Sequence, residues 1–356
     1  MKKSIIISYN YPPVVGGIET YAFELISFFK KNYSNEYDFI FNETQKPVTG
    51  ILRAMSFMIF IIKTIFTISK KKYKTIHLTN FNLWFIGYFY SLFNKETKVI
   101  LNLWGLELVY SGKKGFLPSV YNFFLPVNFI INQNSFKFMI SSLASKDLAI
   151  KNRFNENKLF YIPLGTNSYD VPAKSTNNEE YIFFSGRITP RKGLSWFVEN
   201  VLCEFPDLKL KFSGPIVDKK EFDKIISSNQ VEYMGVVSEE ELVSLRYNSS
   251  VVIIPNTKDI KNPDFEAFCF VTIESVASRS IVLASNYQGL TDSLLNGKLG
   301  FLAEPSDKKS WILQLERILK IKNSEKQKII EERLDLLEKT FIWEKIFTET
   351  YNLHDE

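Results

Sequence analysis

The sequence predicts an α/β protein of two Rossmann-like lobes, and three observations lead there. Its 356 residues exceed what one core ordinarily holds and suit two domains of common size. Short apolar runs alternate with helical or loop stretches, the pattern of a parallel sheet covered on both faces. That pattern stops once, in a polar and turn-rich segment, and then restarts.

In the first half the strand-like runs fall at 4–8, 75–79, 98–103, 136–141 and 158–162. An amphipathic run over 21–29 predicts a helix after the first strand. Residues 51–72 read ILRAMSFMIFIIKTIFTISKKK, a second helix whose polar positions Arg53, Ser56, Lys63, Thr67 and Lys70 form only a narrow stripe. Such a helix is either wrapped by core or laid against lipid. Residues 1–165 make the first lobe, and the linker is expected at 166–180, GTNSYDVPAKSTNNEE with the glycine before it. The second lobe, 181–336, restarts with YIFFSG, LKLKFSG, VEYMG, VVIIP and IVLAS and ends in charged helices over 311–320 and 324–340. The last stretch, 337–356, contains FIWEKIFTETY, whose aromatics need a surface to pack on and should return to the first lobe.

Composition narrows the function classes. With 44 Lys+Arg against 39 Asp+Glu the net charge is a mild +5, and no nucleic-acid motif accompanies it, so nucleic acid is not expected as a partner. Cys203 and Cys269 lie far apart without metal-type spacing, which fits a reducing cytoplasm. The opening MKKSIIISYNYPP reads as a first strand rather than a cleaved signal peptide. Aromatic residues make up 15% of the chain, concentrated in FMIFIIKTIF, FNLWFIGYFYSLF and FLPSVYNFFLPVNFI. Lys63, Asn94 and Asn128 break these stretches below spanning length, so the chain is expected to touch a membrane face without crossing it. Of the two histidines, His77 on a strand reads as structural and His354 near the end as exposed.

Four motifs carry the chemistry. Pro12-Pro13-Val14-Val15-Gly16-Gly17-Ile18-Glu19 follows the first strand; its glycines serve either a tight strand-to-helix turn or close approach of the backbone to an anionic ligand. Ser185-Gly186-Arg187-Ile188-Thr189-Pro190-Arg191-Lys192-Gly193 follows the first strand of the second lobe. There Arg187 and Lys192 can together neutralise a diphosphate leaving group. Phe265 to Glu274 places two carboxylates, Glu266 and Glu274, eight residues apart across a loop-to-helix junction, although the Val271-Thr272-Ile273 run is equally consistent with strand. Either glutamate could instead simply cap a helix. Ile162-Pro163-Leu164-Gly165-Thr166-Asn167 ends the first lobe.

Taken in order over nearly the whole chain, these motifs resemble those of family 4 of the retaining glycosyltransferases, which have the two-lobed GT-B architecture with a cleft between the lobes. The shared patterns are P-x-x-G-G-x-E, I-P-x-G-x-(D/N), G-R-x-x-P-x-K-G and E-x7-E. The resemblance implies a UDP- or GDP-sugar donor, no cofactor, and a glycan or polyprenol- or lipid-linked acceptor, as in bacterial cell-surface polysaccharide synthesis. It implies that Arg187 and Lys192 bind the donor diphosphate, Glu274 the ribose and Glu266 the transferred sugar. The amides of Phe268, Cys269 and Phe270 would lie at the phosphates, with Gly16 and Gly17 facing them across the cleft; Gln288-Gly289-Leu290-Thr291-Asp292 loosely matches the family's G-G-x-P-E. The acceptor hydroxyl would attack on the face the diphosphate leaves, and no Asp-x-Asp metal motif is present. One departure stands out. Leu103-Trp104-Gly105-Leu106-Glu107 has tryptophan where the family has histidine, so Trp104 and Glu107 could contact a sugar, but the indole cannot accept a proton. Two rival readings are a nucleotide-sugar epimerase of similar lobes and a non-catalytic subunit that binds a sugar nucleotide or a partner transferase.

Overall fold

The computed structural model describes residues 3–14, 16–42, 50–110, 127–171, 180–258 and 265–355. Val15, most of the expected linker and 116–126 of the third aromatic stretch lie outside the described residues. The chain divides into two compact units, Met1–Leu164 together with Trp343–Glu356, and Gly165–Ile342.

In the first unit β1 (Ser4–Ser8), β2 (Tyr37–Phe41), β3 (Thr75–Leu78), β4 (Lys98–Leu103), β5 (Phe136–Ile140) and β6 (Leu159–Tyr161) form a parallel sheet in the order β2-β1-β3-β4-β5-β6. Every residue of β1 is buried, as a parallel strand covered on both faces requires. Strand β2 has only the short apolar run Phe39-Ile40-Phe41 to announce it. Its Asp38 breaks the pattern, and this carboxylate accepts the Tyr73 hydroxyl at 2.6 Å and the Lys71 ammonium at 2.7 Å.

Helix Gly50–Ile68 buries Ile61, Thr64 and Ile68, while Phe57 and Phe60 pack edge-on against Tyr9 at 4.8 and 5.4 Å. Its opposite face stays apolar and exposed: Leu52, Met55, Ile59, Ile62 and Phe66 recur at helical spacing along it.

From Trp343 on the C-terminal segment returns to the first unit, whereas 337–342, expected to go with it, stay with the second, where Phe341 packs on Phe268. Helix Trp343–Asp355 lies on helix Gly17–Asn32, with Phe347 against Phe28 and Tyr21 and with Tyr351 stacked on Tyr33 at 4.0 Å. This docking overturns the expectation that His354 is exposed. It is 2% exposed and joins a buried chain in which Tyr37 Oη lies 2.9 Å from His354 Nδ1, His354 Nε2 lies 3.0 Å from His77 Nδ1, and His77 Nε2 lies 2.8 Å from Asn102 Oδ1. The Asn102 carbonyl can only accept, so His77 donates to it, His354 donates to His77, and Tyr37 donates to His354. One proton per ring satisfies the whole chain with both rings neutral. The miss has a physical reason: near-terminal position suggests exposure, and the partner ring is far away in sequence.

In the second unit β7 (Tyr181–Ser185), β8 (Lys209–Ser213), β9 (Val231–Tyr233), β10 (Val251–Ile254), β11 (Val282–Ser285) and β12 (Phe301–Ala303) are again all parallel, in the order β12-β11-β10-β7-β8-β9. Numbered within the unit this is the doubly wound order, with its reversal between β7 and β10. The ambiguous Val271-Thr272-Ile273 run is helical, within Phe270–Ala277.

The histidine chain sets a pH dependence. Burial holds His77 down at about 4, while burial and repulsion from His77 and Lys98 hold His354 below its ordinary value. Both are therefore neutral when folded at pH 7, and below about 6.5 the unfolded chain binds protons the folded one refuses. Stability is full above that pH and falls as pH drops towards 4, by up to about 1.4 kcal/mol per pH unit for each histidine. Melting temperatures across pH 7 to 4.5 should show this loss, and His354→Gln should flatten it. An unchanged slope in that variant would remove the assignment.

Candidate active site

In a doubly wound sheet, loops leaving the carboxyl ends of strands diverge where the strand order reverses and open a crevice there. The second unit puts its motif residues at that place. The turn after β7 carries Arg187, Arg191 and Lys192, the segment after β10 carries Asn256 and Glu266, and the turn after β11 carries Gln288 and Gly289.

Two glycines let these loops converge. Gly193 ends the Pro190–Lys192 turn in the left-handed region at φ 69°, and a Cβ there would run into the carbonyl of Pro255 at the end of β10. A Cβ on Gly289 would sit 2.6 Å from the carbonyl oxygen of Glu266 and closer still to that of Ala267. The Gly289 amide donates to the same Glu266 carbonyl at 2.9 Å, and the Glu266 amide donates to Gln288 Oε1 at 2.8 Å.

The carboxylate so positioned is a hub. Glu266 Oε2 accepts from Lys192 Nζ at 2.7 Å, from Asn256 Nδ2 at 2.9 Å, and from Arg191 Nη1. Its Oε1 makes no hydrogen bond among the described residues. Burial alone would push this carboxyl up, but Lys192 and Arg191 beside it bring it down to about 2. Glu266 therefore stays ionised, and the three-charge cluster keeps one net positive charge. Arg187, in the turn that also carries Arg191 and Lys192, is exposed and makes no ion pair among the described residues.

Glu274 lies one helical turn beyond the start of Phe270–Ala277. Its Oε2 accepts from Arg246 Nη2 at 2.8 Å. Burial pushes its carboxyl up while the Arg246 guanidinium opposes the shift. Phe268 and Cys269 are buried beside the helix start, and burial raises the Cys269 thiol to about 11, despite Lys192 nearby. That cysteine is an inert packing residue rather than a nucleophile.

Gly16, Gly17, Trp104 and Glu107 belong to the first unit, at the carboxyl ends of β1 and β4. Gly16 precedes helix Gly17–Asn32 and abuts Glu19, whose Oε1 accepts from Asn10 Nδ2 at 2.5 Å. The Trp104 indole N–H is committed to the Thr79 carbonyl at 2.7 Å, and its ring meets Tyr21 edge-on at 5.2 Å. Glu107 Oε1 caps the start of helix Leu106–Tyr110 by accepting the amides of Trp104 and Gly105. Its carboxyl is raised by burial, which those amides oppose.

Sequence reasoning brought out Lys192 and both glutamates but missed Arg191, Asn256 and Arg246. Arg191 occupies a variable position of G-R-x-x-P-x-K-G, and Asn256 follows the proline after β10 without any motif of its own. A cavity of about 380 Å³ bounded by Glu180, Leu208 and Ser250 opens at the amino ends of β7, β8 and β10, the opposite end from these residues.

Residues 168–334 match the family model described as glycosyl transferases group 1. An uncharacterised glycosyltransferase of Methanocaldococcus jannaschii is 28% identical over 217 residues, 58% of this chain and 57% of its own length. A lipopolysaccharide 1,2-N-acetylglucosaminetransferase of Salmonella typhimurium is 27% identical over 180 residues, 46% of this chain and 45% of its own. The chain thus spans about half the length of the curated relatives it matches. Among solved structures, Anabaena HepE in complex with UDP and glucose superposes with a TM-score of 0.73 over 100% of both chains, at 15% identity. The chain has the GT-B fold, two parallel six-stranded α/β units, and its second unit carries the similarity to glycosyl transferases group 1.

Proposed function

We propose that this protein is a retaining glycosyltransferase that moves a sugar from a UDP- or GDP-sugar to a glycan or lipid-linked acceptor in bacterial surface-polysaccharide synthesis. The observation that carries the reading is the Glu266 hub at the carboxyl-end crevice, where two cations and a permanently ionised carboxylate meet. Lys192 and Arg187 bind the donor diphosphate, and Arg191 shares charge with them. The amides of Phe268 to Phe270 lie beside the phosphates, and Glu274 takes the ribose through its free oxygen. Glu266 Oε1 faces the transferred sugar and stabilises positive charge at the anomeric carbon. The Salmonella relative is named for transfer of N-acetylglucosamine in lipopolysaccharide, and the HepE structure holds UDP and glucose, which agrees with this donor and acceptor class.

Catalysis on this account is positioning and charge neutralisation, with side-chain cations in place of a divalent ion. The acceptor hydroxyl attacks on the face the diphosphate leaves, and the departing phosphate oxygen takes its proton. Glu274 touches a part of the donor that does not change in the reaction, so Glu274→Gln should raise donor KM more than it lowers kcat. Glu266→Gln should do the reverse and lower kcat by ~100-fold. Steady-state kinetics with saturating acceptor, run with and without a chelator, measures all of this. Near-native kcat in folded Glu266→Gln, or loss of rate in chelator restored by magnesium, would contradict it.

The acceptor reading extends to a membrane face. No helix among the described residues is long and apolar enough to cross a membrane. Yet the exposed face of Gly50–Ile68 carries an apolar stripe, Leu52, Met55, Ile59, Ile62 and Phe66, beside Lys63 and Thr67, and Phe89, Leu92 and Phe93 of helix Trp84–Phe93 are exposed as well. From Thr44 to Lys95 the chain has eight Lys and Arg and no Asp or Glu. An apolar stripe in a basic stretch, of whose eight cations Lys71 is paired with Asp38, fits the surface of an anionic leaflet. The protein should co-sediment with vesicles containing phosphatidylglycerol at low salt, and Ile62→Asp with Phe66→Asp should abolish this. Absence of wild-type binding would exclude the membrane face and leave the donor assignment standing.

A further inference from the structure

Arg246, on helix Glu239–Asn248, is a cation in a place where packing alone has no use for one. It is 2% exposed, yet Nε and Nη1 are buried without a hydrogen-bond partner. Its contacts to other charges are Glu274 Oε2, 2.8 Å from Nη2, and Glu239 Oε1, 3.7 Å from Nη1. A buried guanidinium with unused donors is a poor structural element, because an apolar side chain of similar volume fills the space without the desolvation. What the arginine does achieve is local to Glu274. It fixes one carboxylate oxygen in a charge-assisted hydrogen bond and leaves the other with no partner among the described residues.

That division of labour has a chemical consequence. A ribose presents two vicinal hydroxyls, both donors, and a carboxylate takes them only when it is ionised and turned the right way. Burial favours the neutral acid at Glu274, and the guanidinium works against that preference. A protonated carboxyl would offer one acceptor fewer and could rotate.

We propose that Arg246 is a positioning residue for donor recognition, holding Glu274 Oε2 so that Oε1 is presented to the ribose hydroxyls of the nucleotide. The inference rests on the donor reading given above and names a residue that acts through Glu274 rather than on the donor itself. It predicts that Arg246 governs discrimination for the ribose diol and leaves the diphosphate grip of Lys192 untouched.

The test is calorimetric binding of UDP and GDP, each compared with its 2′,3′-dideoxy analogue, to the full-length protein. The wild type should prefer the ribonucleotide by roughly ten- to a hundredfold, the range of a hydrogen bond to a charged group. In Arg246→Met that preference should collapse to within about twofold, with dideoxy affinity unchanged. Glu274→Gln should do the same, and the double variant should be no worse than Glu274→Gln alone, since the two residues form one unit. Should Arg246→Met fail to fold, Arg246→Gln, of similar length and neutral, carries the same expectation. Full discrimination surviving in a folded Arg246 variant, or effects that multiply in the double variant, would overturn the role of Arg246 alone. A wild type that binds neither UDP nor GDP would overturn the donor reading and this inference with it.

Discussion

The Glu266 carboxylate, gripped through one oxygen by Lys192, Arg191 and Asn256, is the contact on which the rest of the second unit depends. A carboxylate this buried would ordinarily take up a proton, and two neighbouring cations would ordinarily repel. Each removes the other's difficulty. The cost is geometric, because three loops from three strands must meet within hydrogen-bonding distance. Gly193 and Gly289 allow it by giving up their side chains where backbone presses on backbone. An ion cluster of this kind is stabilised mainly by its completeness, since removing one member strands the others without a partner.

Topology explains why the cluster sits where it does. The reversal of strand order between β7 and β10 leaves a crevice at their carboxyl ends, and the basic turn after β7 and the acidic segment after β10 are its two walls. The first unit has its own reversal, between β1 and β3. Gly16 and Trp104 stand at that end of its sheet, and the C-terminal helix is locked onto the same unit through the Tyr37, His354, His77 and Asn102 chain. A buried polar chain in which every proton has one place to go specifies a single docking of that helix.

Much of this was legible in the sequence because its signals are local. Runs such as SIIIS or VVII, β-branched and bounded by turn residues, read as buried parallel strands, and the G-R-x-x-P-x-K-G and E-x7-E spacings bring Lys192, Glu266 and Glu274 to notice without any coordinates. The misses are cases where the decisive partner is remote or the residue type is ambiguous. Strand β2 carries Asp38 as its second residue and β12 is three residues long, so neither gives a periodic signal. His354 takes its burial from His77. Arg191, Asn256 and Arg246 acquire meaning only once the fold sets them beside Glu266 and Glu274. Trp104 was noticed for its departure from the family pattern, but that its N–H is spent on Thr79 depends on how β3 and β4 pair.

If Glu266 holds Lys192 and Arg191 in the absence of donor, then beyond Arg187 the donor diphosphate must draw on cations that already have a partner. The most direct measurement is the calorimetric affinity of Glu266→Gln for the nucleoside diphosphate that the wild type binds best. Neutralising the carboxylate releases both cations while removing a contact that belongs to the sugar, so the account predicts affinity equal to or tighter than wild type, alongside crippled transfer. Affinity tenfold or more weaker in a folded variant would mean that Glu266 helps to hold the diphosphate rather than competing for its cations, and would contradict the account.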